Sequence, residues 1–215
     1  MQETKMISVE DAKKYYSDAD TAHDFNHVLR VMTMAEHLAR VEGADMEVVH
    51  AAALLHDISR ADEDQSGQGD HAEMAAKRAR EILIGRGVRS ERADAVAHAI
   101  AAHRYRGSVQ PLTLEAKILF DADKLDSIGA VGIARAYAIA GALNQRLWSE
   151  PREDGIATRE QHGDLTHTPV VEFMVKLQHV HARVHTATAR KIAQERHDYM
   201  SQFFERLGRE MRGEF

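Results

Sequence analysis

Apolar residues recur along this chain at three- and four-residue steps, the period of one helix face. Val28, Val31 and Ala35 form one such stripe, and Val48, Ala52 and Leu55 form another. No segment alternates polar and apolar residues as a half-buried strand does. The pattern therefore predicts an all-α chain, and cap residues set its expected bounds. Ser8, with Asp11 three residues on, opens a short first helix. Thr21 with Asp24 opens a second that runs to Gly43, and Asp45 opens a third through about Ser59. Asp70 with Glu73 opens a fourth that ends near 85–87. Ser90 opens a fifth ending near His103, and Thr113 opens a sixth reaching about Ile128. A small-residue helix is expected over 130–148, and Thr168 with Pro169 caps a helical C-terminal part to about 211.

Between these elements, residues 60–70 read as a polar loop, and 149–167 as the longest loop. Pro111, Pro151 and Pro169 all fall at a boundary or in a loop, where a missing amide proton costs least. The C-terminal part spaces Phe173, Leu177, Val180, Val184, Ile192, Phe203 and Leu207 among charges. That is the pattern of amphipathic helices packing on the core or on another copy, so a homodimer is compatible with it. No repeat or linker divides the chain. The expectation is one domain over 1–215, with a core at about 20–148 and the part at about 168–211 packed on it.

Composition narrows the chemistry. A chain of 215 residues with 44% apolar and 29% charged residues fits a folded protein with a sizeable core. The absence of cysteine excludes disulfides, thiol catalysis and cysteine-held metals, so any metal site must use nitrogen and oxygen ligands. The 14 histidines keep that option open. A net charge of −6 argues against sequence-independent binding of a nucleic-acid polymer. The N-terminus shows no basic stretch followed by an apolar one, and the longest purely apolar run covers only 51–55, far short of the ~20 residues of a membrane span. A cytoplasmic location, away from any membrane, is expected.

The chemistry-bearing residues begin with His56 and Asp57, directly after that apolar run. Ionisable groups beside a buried stripe cost free energy unless they are paired or metal-bound. The alternative is a helix-terminal imidazole on the last carbonyls and an aspartate capping the loop. His27 lies on the second predicted helix, and Asp121, Asp123 and Asp126 lie on the sixth. Two imidazoles and two carboxylates make an N/O ligand set suited to Mn, Mg, Fe, Co, Ni or Zn. His27 precedes His56 by 29 residues and Asp57 precedes Asp123 by 66, so such a set meets only through tertiary structure. Residues rotate by ~100° per step, so only one of Asp121 and Asp123 can face the same ion. Asp126 shares the general face of Asp123.

The order H…HD…D resembles that of the HD-domain superfamily of metal-dependent phosphohydrolases. The stretches HDFNHVLRV, AALLHDISR, AIAAHRYRG, ILFDADKLDSIGAVGIARAY and VKLQHVHARVHTATARKIAQERHDYM are similar to a small standalone bacterial subgroup. That subgroup includes nucleoside triphosphate pyrophosphohydrolases. The resemblance implies an all-α helical bundle with additional C-terminal helices. It also implies one divalent ion held by His27, His56, Asp57 and Asp123, the last chosen by its Asp-Lys-hydrophobic setting. It implies a small phosphorylated substrate, a nucleotide first of all, attacked by metal-activated water. Asp57 would orient that water, Lys124 and Arg60 would meet phosphoryl charge, His71 would donate a proton to the leaving group, and His103 would sit against the substrate. In related proteins, histidines in the order of His71 and His103 also hold a second metal, which keeps a di-iron oxygenase as an alternative. A non-catalytic regulatory module is the other. His23, His37, His50, His162, His167, His179, His181, His185 and His197 read as exposed or helix-terminal, and Arg30, Arg104 and Arg106 as surface or salt-bridge residues.

Overall fold

The computed structural model describes residues 6–16, 25–60, 71–104, 109–150 and 167–214. All regular elements among the described residues are helical, as the 3.6-residue pattern predicts. They are α1 (Val9–Lys13), α2 (Phe25–Glu42), α3 (Met46–Leu55), α4 (His71–Gly85), α5 (Ser90–Ala101), α6 (Leu114–Asp126), α7 (Gly129–Ala142), α8 (Pro169–Val175), a 3-10 segment (Leu177–Arg183) and α9 (Ala187–Met211). Several of the caps hold as read. Ser8, Asp45, Thr113 and Thr168 each accept a hydrogen bond from a first-turn amide. Gly43 and Gly87 end α2 and α4 at φ of 80° and 81°, a backbone region open to glycine at no steric cost. The caps expected at Thr21 and Asp70, and most of the loops at 60–70 and 149–167, lie outside the described residues.

The chain forms two compact units, residues 1–123 and 124–215. In the first, α3 lies against α1, α2, α4 and α5. A helix touched on so many sides must be apolar all round. Residues 48–55 are accordingly all buried, and only His50 among them is polar. Burying Leu54 and Leu55 contributes about 2–3 kcal/mol each. The third helix stops at Leu55 instead of running to Ser59, because the carbonyls at its end take side-chain partners and the chain turns through 56–59. Ser90 also departs from its expected place. It is the first helical residue of α5, and the N-cap position is Arg89, which makes no capping bond.

In the second unit, α9 packs on α7 and on the 3-10 segment, and α8 packs on both of these shorter elements. Ala189, Ala193, Met200 and Phe204 give α9 its buried face, and Phe173 stacks on Phe204 at 4.6 Å between ring centroids. Gly132 has no room for a side chain, since a Cβ there would lie 2.2 Å from the Ser127 carbonyl oxygen. The small-residue helix expected to 148 ends at Ala142, followed by Asn144 at φ 55°. No described helix is long and apolar enough to cross a membrane.

Candidate metal centre

Helices α2, α4 and α6, the turn after α3 and the end of α5 bring the predicted residues together. His27 sits one turn into α2, on the buried stripe with Val28 and Val31. His56 and Asp57 form the turn after α3, both buried. Asp123 lies near the end of α6 and is mostly covered. His71 is the first residue of α4, and His103 follows the end of α5; both are buried.

These side chains converge on Asp57. His27 Nε2 and His56 Nε2 are 3.3 Å apart, and they lie 3.8 and 3.6 Å from Asp57 Oδ2. His27 Nε2 is also 3.4 Å from Asp123 Oδ1. The other oxygen, Asp57 Oδ1, faces His71 Nε2 at 3.8 Å and His103 Nε2 at 3.6 Å. The imidazoles of His27, His56, His103 and His71 follow one another edge to face, with centroids 5.2 to 5.6 Å apart. Two groups of three therefore present ligand atoms within 4.8 Å of one another: His27, His56 and Asp57, and Asp57, His71 and His103.

The protonation pattern says what such a cluster wants. His56 Nδ1 lies 2.8 Å from the Ala53 carbonyl oxygen. A carbonyl only accepts, so Nδ1 carries the proton and a neutral ring points its Nε2 lone pair at His27 and Asp57. His103 repeats the arrangement, donating Nδ1–H to the Ile100 carbonyl at 2.6 Å. Burial, more than the repulsion from His103 and His27, pushes the His56 imidazole down to about 4, although Asp57 and Asp123 pull the other way. Burial alone would raise the Asp57 carboxyl, but the imidazoles of His56, His103 and His27 hold it well below the usual carboxylate range. The centre is thus a neutral imidazole and a carboxylate, the protonation states in which both are ligands.

His27 Nε2 faces three acceptors at 3.3 to 3.8 Å, and one proton can serve only one of them. A cation among them serves all. Ligand atoms about 2.1 Å from an ion stand roughly 3.0–3.4 Å from each other. The observed separations need to contract by only a few tenths of an ångström, so the residues fit a divalent ion.

The remaining predicted residues divide. Asp121, two residues before Asp123, is fully buried. Asp126 pairs instead with Arg135 at 2.8 Å. Lys124, half-buried, follows Asp123 and opens the second unit. Arg60 is half-buried after the turn, where its backbone N–H donates to the Asp57 carbonyl at 3.0 Å. His98, five residues before His103, accepts instead from the Leu112 amide at 3.3 Å. Arg106, His23 and His162 lie outside the described residues. His50 corrects the expectation of an exposed or helix-terminal residue. It is buried in the middle of α3, with Nδ1 2.6 Å from Glu36 Oε1 on α2. Its surroundings in sequence, apolar on both sides, were the signal for that. Tyr16 went unmarked in the sequence, yet its hydroxyl donates to the Leu54 carbonyl at 3.0 Å, at the edge of the same turn.

Comparison with known proteins agrees with this geometry. Residues 24–128 match the family described as HD domain. The chain is 34% identical to the uncharacterized protein YpgQ of Bacillus subtilis over 201 residues, covering 92% of this chain and 88% of YpgQ. The chain belongs to the HD-domain superfamily. The crystal structure of Bacillus subtilis YpgQ in complex with ADP matches with a TM-score of 0.71 and 30% identity, over 94% of each chain. An HD-superfamily hydrolase from Bacillus thuringiensis matches with a TM-score of 0.73 and 29% identity, over 95% of this chain and 94% of that one. Ribonuclease Y of Chloroflexus aurantiacus is 39% identical over 149 residues, 58% of this chain but only 27% of that enzyme. HD domains bind divalent metals, and the clustered imidazoles and carboxylates of this HD domain are groups that can hold one.

Proposed function

We propose that this HD-domain protein is a metal-dependent phosphohydrolase acting on a small phosphorylated molecule, a nucleotide first of all. One observation carries the reading. His27 Nε2, on α2, lies 3.3 to 3.8 Å from His56 Nε2 and Asp57 Oδ2 in the turn after α3 and from Asp123 Oδ1 on α6, a cluster of nitrogen and oxygen atoms of the kind that can hold a cation. The likeness to YpgQ, which was crystallised with ADP, supports a nucleotide ligand.

His27, His56, Asp57 and Asp123 would hold the divalent ion, which when bound would supply an activated water and polarise a phosphoryl oxygen. Asp57 has the carboxylate to orient that water. Lys124 and Arg60 have the cationic groups that oppose charge developing on the phosphoryl oxygens. His71, within reach of Asp57 Oδ1, is our proton donor to the leaving oxygen, and His103 lies against the substrate. Attack at the α-phosphorus of a nucleoside triphosphate would release pyrophosphate, and attack on a monoester would release phosphate.

A second reading rests on the group His71, His103 and Asp57. On this reading those two imidazoles and Asp57 would hold a second ion. That arrangement supports either a two-ion hydrolase or a di-iron oxygenase. The test of both is one screen. The full-length protein, supplied with Mn, Mg, Co, Ni, Zn or Fe, is offered nucleoside triphosphates, diphosphates and phosphomonoesters, and products are identified by phosphorus NMR. Metal-dependent release of phosphate or pyrophosphate is the expected result. An iron-specific visible spectrum with no phosphate release in any arm supports the oxygenase instead.

A further inference from the structure

Helix α3 ends with carbonyls that have no intrahelical partner, and each unsatisfied buried carbonyl costs free energy. In this protein the turn that follows is pinned through those carbonyls by side chains. His56 takes the Ala53 carbonyl. The Tyr16 hydroxyl donates to the Leu54 carbonyl at 3.0 Å. Arg78 Nη1 donates to the Ile58 carbonyl at 3.0 Å from α4, while its guanidinium lies over the Tyr15 ring at 6.0 Å from the centroid. The Tyr16 ring packs on Phe25 at 5.3 Å, and Phe25 opens α2 two residues before His27.

Tyr16 therefore touches two of the three chain segments that deliver ligands. Its ring reaches the start of α2, and its hydroxyl closes the turn that carries His56 and Asp57. We infer that Tyr16 is a positioning residue, whose hydroxyl fixes the His56–Asp57 turn against α2 so that His56 Nε2 and Asp57 Oδ2 face His27. The proposal rests on the metal reading only for its second readout. It assigns Tyr16 no contact with substrate. The hydrogen bonds that orient a ligand typically change metal affinity 10–100-fold when they are lost.

The test is Tyr16→Phe in the full-length chain. Phenylalanine keeps the ring packing on Phe25 and removes only the hydroxyl. In metal-free protein, amide hydrogen exchange at Arg60, whose N–H closes the turn on the Asp57 carbonyl, should speed by about tenfold once the tie to Leu54 is gone, while thermal melting stays within a few degrees of the parent. In calorimetric titration with Mn²⁺, affinity should fall by about tenfold or more. His56→Ala run in the same titration separates the two claims. Unchanged exchange at Arg60 overturns the proposal. Faster exchange with unchanged Mn²⁺ affinity, where His56→Ala abolishes binding, also overturns it, since the turn then moves without affecting the ligands. Mn²⁺ binding untouched by His56→Ala contradicts the metal reading instead, and the exchange result alone then decides for or against Tyr16 as the residue that holds the turn.

Discussion

His27 and His56, separated by 29 residues, meet Nε2 to Nε2 at 3.3 Å in a site from which water is largely excluded. Two imidazole nitrogens that close repel unless a proton or a metal stands between them. Replacing His56 by alanine should abolish binding of one equivalent of Mn²⁺, read by calorimetry and by metal content after gel filtration. The helical circular dichroism should persist, because α2 and α3 lie against each other and Val28, Val31, Val49 and Leu55 on them stay buried.

The same burial makes the metal-free fold sensitive to acid. The folded chain holds the His56 imidazole at about 4, whereas an unfolded imidazole titrates near its ordinary 6.5. Below about 6.5 the unfolded state gains a proton that the folded state refuses until about 4. Stability is therefore full above that window and falls as pH drops through it, by about 3 kcal/mol for this group. Asp57, whose carboxyl is held low, adds a loss of the same sign at still lower pH, as acidification passes from its ordinary value toward its folded one. Urea unfolding of chelator-treated protein at pH 7, 6, 5 and 4, roughly spanning the window, checks the slope. His56→Leu, which cannot titrate, should flatten it.

The carboxylates of α6 should separate by role. Asp123→Ala removes a group 3.4 Å from His27 and should weaken metal binding about 10–100-fold with a small stability change. Asp126→Ala instead strands Arg135, mostly buried and 2.8 Å from its partner. That should cost about 3–5 kcal/mol while leaving metal affinity intact. Paired unfolding and metal-titration measurements on both variants distinguish the two.

How far these roles were legible depends on how local each one is. Ser8, Asp45, Thr113 and Thr168 act within one helical turn, so the sequence alone located them. The His56–Asp57 pair was visible for the same reason, as two ionisable residues ending an apolar run. Its meeting with His27 and Asp123 was carried by motif resemblance, because spacings of 29 and 66 residues encode no geometry. His50 departs from the expectation for its residue type because its apolar neighbours decide its place. Every residue of α3 from Val48 to Leu55 is buried, and a helix buried on all faces there has no exposed side for a histidine. Tyr16 left no signal, since its role arises from a hydroxyl meeting a helix end 38 residues away.

His103 decides between one ion and two. If one ion is bound, His103→Ala should leave metal stoichiometry unchanged and lower only turnover. If His71, His103 and Asp57 hold a second ion, the same variant should lose one of two equivalents. Elemental analysis of the protein after equilibrium with Mn²⁺ gives the count directly.

The central claim is that Asp57, set between His56, His27, His71 and His103, serves metal-dependent hydrolysis of a phosphorylated substrate. Its most direct test is turnover of a nucleotide panel by the parent and by Asp57→Ala, each with Mn²⁺ and after chelation. The account predicts phosphate or pyrophosphate release by the Mn²⁺-loaded parent alone, with loss of activity on chelation and in the variant. Turnover that survives both chelation and Asp57→Ala would contradict it.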